Sequence, residues 1–219
     1  MSDLTYRFVV AACYPAFWVS SSPLWLGREN IPRKGPVILA STHLSHYDVP
    51  CLMAASPRHI DFMSSVEFLA KPFVGRLFTG MNCFFLDRSR SDPKTVRTAL
   101  HRLEAGRAVM MFPEGRIREW EESAIHGKPF KPGVARIAYL SGAPVVPCVV
   151  LNTDAYKKVT AWLPLKRTKY GIIYGKPMTA RTDLPERESV QDLLSRLSQA
   201  YQDLYRELSG ELGKVSSMQ

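Results

Sequence analysis

Cysteine is scarce and dispersed in this chain of 219 residues. Cys13, Cys51, Cys83 and Cys148 lie far apart in apolar surroundings, and no Cys-x-x-Cys pair occurs among them. A disulfide framework, a zinc site and a thiol redox motif are therefore unsupported, and buried free thiols in a reducing compartment are expected. There is no Gly-x-Ser-x-Gly elbow, which counts against a serine hydrolase. No internal repeat or low-complexity tract appears, and nothing in the composition suggests disorder. Acidic residues are outnumbered 20 to 29, giving a formal net charge of +9. That excess favours an anionic partner: nucleic acid, an anionic lipid surface or a phosphorylated substrate. The basic residues are scattered without an RNA- or DNA-binding motif, which disfavours nucleic acid.

Charge is missing altogether from Phe8 to Leu26. A bilayer crossing takes roughly 17–25 apolar residues, so length alone permits one. Pro15 and Pro23 interrupt the run, Ser20 to Ser22 dilute it, and it lacks the basic start and compact core of a signal peptide. Phe17, Trp18 and Trp25 suit a membrane interface. The expectation is a helix, broken near its prolines, that lies in or dips into one leaflet. The alternative is an apolar helix docked on the protein's own core.

What is present is an alternation of apolar runs and helical patterns, with 46% hydrophobic residues to fill a core. Strands are expected at 37–41, 60–64, 83–86, 108–112, 144–151 and 170–174. Short helices are expected at 50–55 and 133–140, with mixed helical spacing over 66–79. The clearest helix follows Asp92 or Ser91 as cap, has Pro93 in its first turn and ends at Gly106. A closing helix over 190–208 turns Leu193, Leu194, Leu197, Tyr201, Leu204 and Leu208 inward. Alternating elements predict an α/β domain, a mostly parallel central sheet flanked by helices. Sites in such sheets lie at the carboxyl ends of strands.

Four polar clusters follow strands. In Ser-Thr-His-Leu-Ser-His-Tyr-Asp-Val-Pro, His43 and Asp48 are suited to act together if His43 is on the loop and Asp48 opens the next helix. The carboxylate then accepts one imidazole N–H and leaves the other nitrogen as a base. His46 is a weaker candidate, and Asp48 also suits a helix cap. Arg88 and Arg90 end a second strand, where an arginine suits a phosphate. Phe112-Pro113-Glu114-Gly115 ends a third in a tight turn, with Arg116 and Arg118 beyond it. Pro147 interrupts a fourth and implies an edge or a bulge, a place for a ligand to pass.

The order of these clusters resembles the 1-acyl-sn-glycerol-3-phosphate acyltransferase family of glycerolipid acyltransferases. His43 and Asp48 match its His-x4-Asp motif, and the segment ending at Arg88 its second motif. Phe112 to Gly115 match Phe-Pro-Glu-Gly, and Val145 to Pro147 its apolar proline motif. Phe130 to Ala138 resembles the segment between the last two, and the likeness runs over roughly residues 25–180. Asn82 stands where the family has glycine, and Arg116-Ile117-Arg118 where Thr-Arg-Ser is commonest; asparagine tolerates the left-handed backbone such a turn needs.

The resemblance implies transfer of a fatty acyl group from coenzyme A or acyl carrier protein to a lysophospholipid hydroxyl. It implies His43 as general base and Asp48 as its orienting partner. Arg88, Glu114, Gly115, Arg116 and Pro147 would line the acceptor site, and no cofactor or metal is needed. Another lysolipid, glycolipid or aminolipid acceptor, or thioester hydrolysis, is compatible with the same motifs. The implied organisation is a membrane-associating helical segment at 1–30, an acyltransferase domain at 31–212 and a disordered tail at 213–219. The implied location is the cytoplasmic face of the inner or plasma membrane. Lys157, Lys158, Lys166, Arg167 and Lys169, interleaved with Trp162 and Leu163, suit an anionic leaflet, or a solvated hairpin.

Overall fold

The computed structural model describes residues 3–70, 72–87, 92–163 and 167–217. Arg88, Arg90 and Lys166 lie outside these residues. In chain order the elements are α1 (Leu4–Ser20), β1 (Ser21–Leu26), β2 (Val37–Ser41), α2 (Asp48–Ala55), β3 (Ile60–Ser65), α3 (Pro72–Gly80), β4 (Phe84–Leu86), α4 (Pro93–Glu104), β5 (Ala108–Met111), α5 (Gly133–Ser141), β6 (Val145–Leu151), β7 (Thr168–Tyr174) and α6 (Glu186–Ser217). The seven strands form one sheet in the order β1-β7-β6-β2-β5-β3-β4. Neighbours are parallel except for β6 with β7.

The central strands are apolar throughout because both faces of the sheet are covered. Along β2, Ile38 and Ala40 enter one core while Val37 and Leu39 enter the other. In β5, Val109 and Met111 alternate in the same way with Ala108 and Met110. The first core is closed by α4, α5 and α6 through Leu103, Val134, Ile137 and Leu197. The second is closed by α1 and α2 through Tyr6, Phe17, Cys51 and Leu52. Cys51, Cys83 and Cys148 are free and buried. Asp92 caps α4, accepting from the Thr95 N–H at 3.1 Å and the Thr95 hydroxyl at 2.6 Å. Asn82 takes φ 62, the left-handed conformation that its place in the second motif requires.

The N-terminal segment departs from expectation. Its helix is not broken at Pro15, which stands inside α1 on an exposed side. The chain then becomes strand β1, pairing in parallel with β7 from Ser21–Thr168 to Leu26–Ile173. Pro23 is tolerated there because β1 is an edge. One face of α1 is docked on the core, while Leu4, Phe8 and Trp18 are exposed at 74%, 72% and 63%. Among the described residues no helix is long and apolar enough to cross a membrane. At the other end, α6 runs on to Ser217, past the residue 212 at which the domain was expected to end.

A buried ion-pair cluster ties the start of α1 to the base of the sheet. Asp61 is fully buried and meets Arg102 Nη1 at 2.7 Å and Arg107 Nε at 2.6 Å. Arg107 Nη2 donates onward to Asp3 Oδ1 at 2.9 Å, and Asn82 Nδ2 to the same oxygen at 2.7 Å. His59 Nδ1 lies 3.1 Å from the other Asp3 oxygen. Two arginines on one buried carboxylate satisfy a charge that would otherwise be very costly at that depth.

Candidate active site

Three loops leave the carboxyl ends of β2, β5 and β6, which lie side by side and parallel. His43 stands on the first, Glu114 on the second and Thr153 on the third. The β2 loop folds back on itself. Asp48 Oδ2 accepts the Leu44 N–H at 2.8 Å, the Ser45 N–H at 2.9 Å and His43 Nδ1 at 3.0 Å. Asp48 Oδ1 accepts the Thr153 hydroxyl. A carboxylate holding these donors is itself an acceptor, so His43 Nδ1 carries the proton and Nε2 keeps its lone pair. Asp48 is the first residue of α2, and Tyr47 is its N-cap, without a side-chain hydrogen bond. The carboxylate therefore serves the loop before the helix, not the helix amides, contrary to the capping expected of it.

The second loop holds the first. Glu114 is 2% exposed, and its carboxylate accepts the His43 N–H at 2.7 Å, the Ser123 hydroxyl at 2.6 Å and the Ala124 N–H at 2.7 Å. All three donors come from the protein, so Glu114 fastens the loop carrying His43 to the segment that returns at Ser123. Gly115 closes the turn at φ 75, its N–H donating to Phe112 O at 2.9 Å. Two residues on from Arg116, the Arg118 N–H donates to His43 O at 2.8 Å. The His43 ring lies over Phe112, with centroids 4.1 Å apart and planes at 23°. Backbone, carboxylate and ring stacking together leave His43 one orientation.

His43 opens onto an apolar cavity of about 500 Å³, within the roughly 300–1,000 Å³ usual for ligand pockets. Val10 and Phe17 of α1, Met53 of α2, Phe62 of β3, and Phe78 and Met81 form much of its wall. His46 also lines it, but no carboxylate pairs with it among the described residues. Cys83 lines it too; burial pushes that thiol up to about 12, so at neutral pH it is a neutral wall group and not a thiolate nucleophile.

The remaining expected site residues are divided. Arg116 is exposed and lies 3.5 Å from Glu122. Arg118, 22% exposed, shares that carboxylate at 3.5 Å. Pro147 is neither on an edge nor at the cavity: it is buried in β6, between β7 and β2. Its carbonyl accepts the Gly175 N–H at 2.9 Å, and the β7 ladder starts one residue later at Cys148–Tyr174. Its missing N–H thus falls just outside that ladder, which is why a central strand accepts it. Thr153 and Ser123 were not singled out from the sequence. No local signal marks them, since Thr153 meets Asp48 across 105 residues of chain.

A family model described as Acyltransferase matches residues 25–151, from β1 to the end of β6. The chain belongs to the acyltransferase family. Among its relatives is the 1-acyl-sn-glycerol-3-phosphate acyltransferase of Borreliella burgdorferi, 26% identical over 156 residues, which cover 70% of this chain and 61% of that protein. The chloroplastic 1-acyl-sn-glycerol-3-phosphate acyltransferase BAT2 of Brassica napus is 29% identical over 156 residues, 69% of this chain and 44% of that one. The Helicobacter pylori 1-acyl-sn-glycerol-3-phosphate acyltransferase is 25% identical over 179 residues, covering 80% and 72%. This chain thus matches about three-fifths and under half of the length of the first two. The fold is that of the crystal structure of the 1-acyl-sn-glycerophosphate acyltransferase PlsC from Thermotoga maritima, with TM-score 0.61, 22% identity and coverage of 84% of this chain and 74% of that one.

Proposed function

We propose that this acyltransferase moves a fatty acyl group from an acyl thioester, on coenzyme A or acyl carrier protein, to the free hydroxyl of 1-acyl-sn-glycerol 3-phosphate, giving phosphatidic acid. The observation that carries the reading is the His43–Asp48 pair, 3.0 Å apart, at the mouth of an apolar cavity. His43 Nε2 takes the acceptor's hydroxyl proton as the oxygen attacks the thioester carbonyl. The carbon–sulfur bond then breaks, and the imidazolium returns its proton to the departing thiolate. A thioester is already activated, so the enzyme needs a base and no covalent nucleophile; such a base contributes about 10²- to 10⁴-fold. Asp48, buried beside it, stabilises the imidazolium between the two steps. The cavity takes an acyl chain, and the basic segment carrying Arg116 and Arg118, just beyond the Phe112–Gly115 turn, takes the phosphate.

Both substrates carry long acyl chains and the acceptor is a membrane lipid, and the exposed side of α1 suits that setting. Leu4, Phe8 and Trp18 project from it, while Trp162 and Leu163, 40% and 49% exposed, flank its far end where Trp162 packs 6.0 Å from Phe17. In this reading α1 lies on the leaflet and forms one wall of the cavity, so an acyl chain passes from lipid to site without crossing water.

Thiol release from palmitoyl-coenzyme A, measured on liposomes with and without lysophosphatidic acid, tests the proposal. Acceptor-dependent release by the wild type, lost in His43→Ala, is the expected result. Release that ignores the acceptor would make the protein a thioesterase. Full acceptor-dependent activity in His43→Ala would overturn the mechanism.

A further inference from the structure

Lys131 sits where no feature of the site so far explains it. Its N–H donates to Pro113 O at 2.9 Å, which pins the residue against the Phe112–Gly115 turn. Its side chain then runs across Gly115: a Cβ built there would stand 2.9 Å from Cε and 3.1 Å from both Cδ and Nζ. The lysine can lie in this position only because residue 115 has no side chain. Glu114, next in the chain, accepts the His43 N–H at 2.7 Å, so the lysine flanks the turn that holds the His43 loop.

The charge balance there is uneven. Arg116 and Arg118 both face Glu122 at 3.5 Å. Among the described residues no carboxylate lies within ion-pair distance of Lys131. Two residues later α5 begins at Gly133 without a side-chain cap, so its amino end adds partial positive charge close to Lys131 in the chain. An exposed ammonium without a carboxylate partner among the described residues, over the turn that holds the His43 loop, fits an acceptor with an anion near the reacting hydroxyl. In a glycerol phosphate the phosphate is on the carbon next to the one bearing the reacting oxygen.

We propose that Lys131, laid over the side-chain-free Gly115, binds the phosphate of the lysolipid acceptor and so selects a phosphomonoester head group. The inference rests on the acyltransferase reading above. It also gives Gly115 a second role beyond its turn: a methyl group there displaces the lysine.

Steady-state kinetics of the full chain on phosphatidylcholine liposomes test this, with palmitoyl-coenzyme A and lysophosphatidic acid varied separately for the wild type, Lys131→Met, Lys131→Arg and Gly115→Ala. Lys131→Met is expected to raise KM for lysophosphatidic acid about tenfold, the size of one charge-assisted hydrogen bond to a partly solvated anion. The KM for palmitoyl-coenzyme A and the melting temperature stay as in the wild type, and Lys131→Arg recovers most of the loss. In the Lys131→Met background, Gly115→Ala adds less to KM than it does alone. An unchanged KM for lysophosphatidic acid in folded Lys131→Met would overturn the assignment. So would a rise confined to palmitoyl-coenzyme A, which would place the lysine on the donor's phosphate instead. A wild type with no lysophosphatidic-acid-dependent release would overturn the acyltransferase reading as well, whereas release with unaltered KM values overturns this inference alone.

Discussion

Asp48 separates architecture from chemistry, because alanine and asparagine at this position do different things to the same hydrogen bonds. Four donors converge on a carboxylate that is fully buried. In Asp48→Ala the His43 ring and the Thr153 hydroxyl can turn away, but the Leu44 and Ser45 amides are fixed by the loop. Each buried donor left unmade costs about 1–3 kcal/mol, so the pair costs about 2–6 kcal/mol. Against a total of roughly 5–15 kcal/mol for a domain, that is a large fraction, and it corresponds to a fall of about 5–20 °C in melting temperature. In Asp48→Asn the amide oxygen still accepts from the loop and from His43, and the new NH₂ donates to the Thr153 oxygen, which reverses its role. The fold survives with a melting temperature within a few degrees of wild type. What disappears is the negative charge beside the imidazolium, and the rate of acceptor-dependent thiol release falls by about 10²- to 10⁴-fold. Thermal melts and steady-state rates on the same preparations decide the matter. Asp48→Ala as stable as wild type, or Asp48→Asn within threefold of its rate, would refute the reasoning.

Three further outcomes follow from the same geometry. Thr153→Val removes the donor to Asp48 Oδ1, so kcat should fall about tenfold with KM unchanged, and Thr153→Ser should restore it; steady-state rates with saturating donor read this out. Phe8→Ser with Trp18→Ser changes only exposed side chains, so flotation with anionic liposomes should drop about tenfold or more per residue while the melting temperature holds. At Asp3, burial raises the carboxyl, but hydrogen bonds from Arg107 and His59 outweigh it and hold the group below its ordinary value of 3.8. A carboxyl depressed in the folded state stabilises fully above its unfolded value and loses that contribution as pH falls through the folded one. Docking of the α1 start should therefore weaken as the pH drops below about 4, and Asp3→Asn should flatten that part of the stability–pH curve measured by Tyr6 and Trp fluorescence or amide exchange.

The central strands were legible because a strand covered on both faces is apolar at every position, as β2, β5 and β6 are. The helix after Asp92 was legible because its cap and its proline are local. The His43–Asp48 pair was legible for the same reason: five residues of loop and helix start bring them together with little help from elsewhere. Strand β1 was not, since Ser-Ser-Pro-Leu-Trp-Leu has no strand pattern of its own and becomes one only by pairing with β7. The partners of Glu114 were not legible either, because a carboxylate in a tight turn carries no mark of which way it points. Its three protein donors come from residues 43, 123 and 124.

Short-range chemistry, then, was decided by the sequence alone: apolar runs for the inner strands, a capped helix, a left-handed Asn82, and a histidine hydrogen-bonded to a nearby carboxylate. Backbone geometry dictates these, since residues a few positions apart have few ways to be arranged. The strand order was decided only by tertiary structure. Placing β2 between β5 and β6 is what brings Glu114 under the His43 loop and Thr153 onto Asp48. It also set Pro147, expected at an edge or a bulge, at the centre of the sheet and laid Lys131 across Gly115. Contacts across such separations depend on how buried faces pack, and no local pattern of residues encodes them.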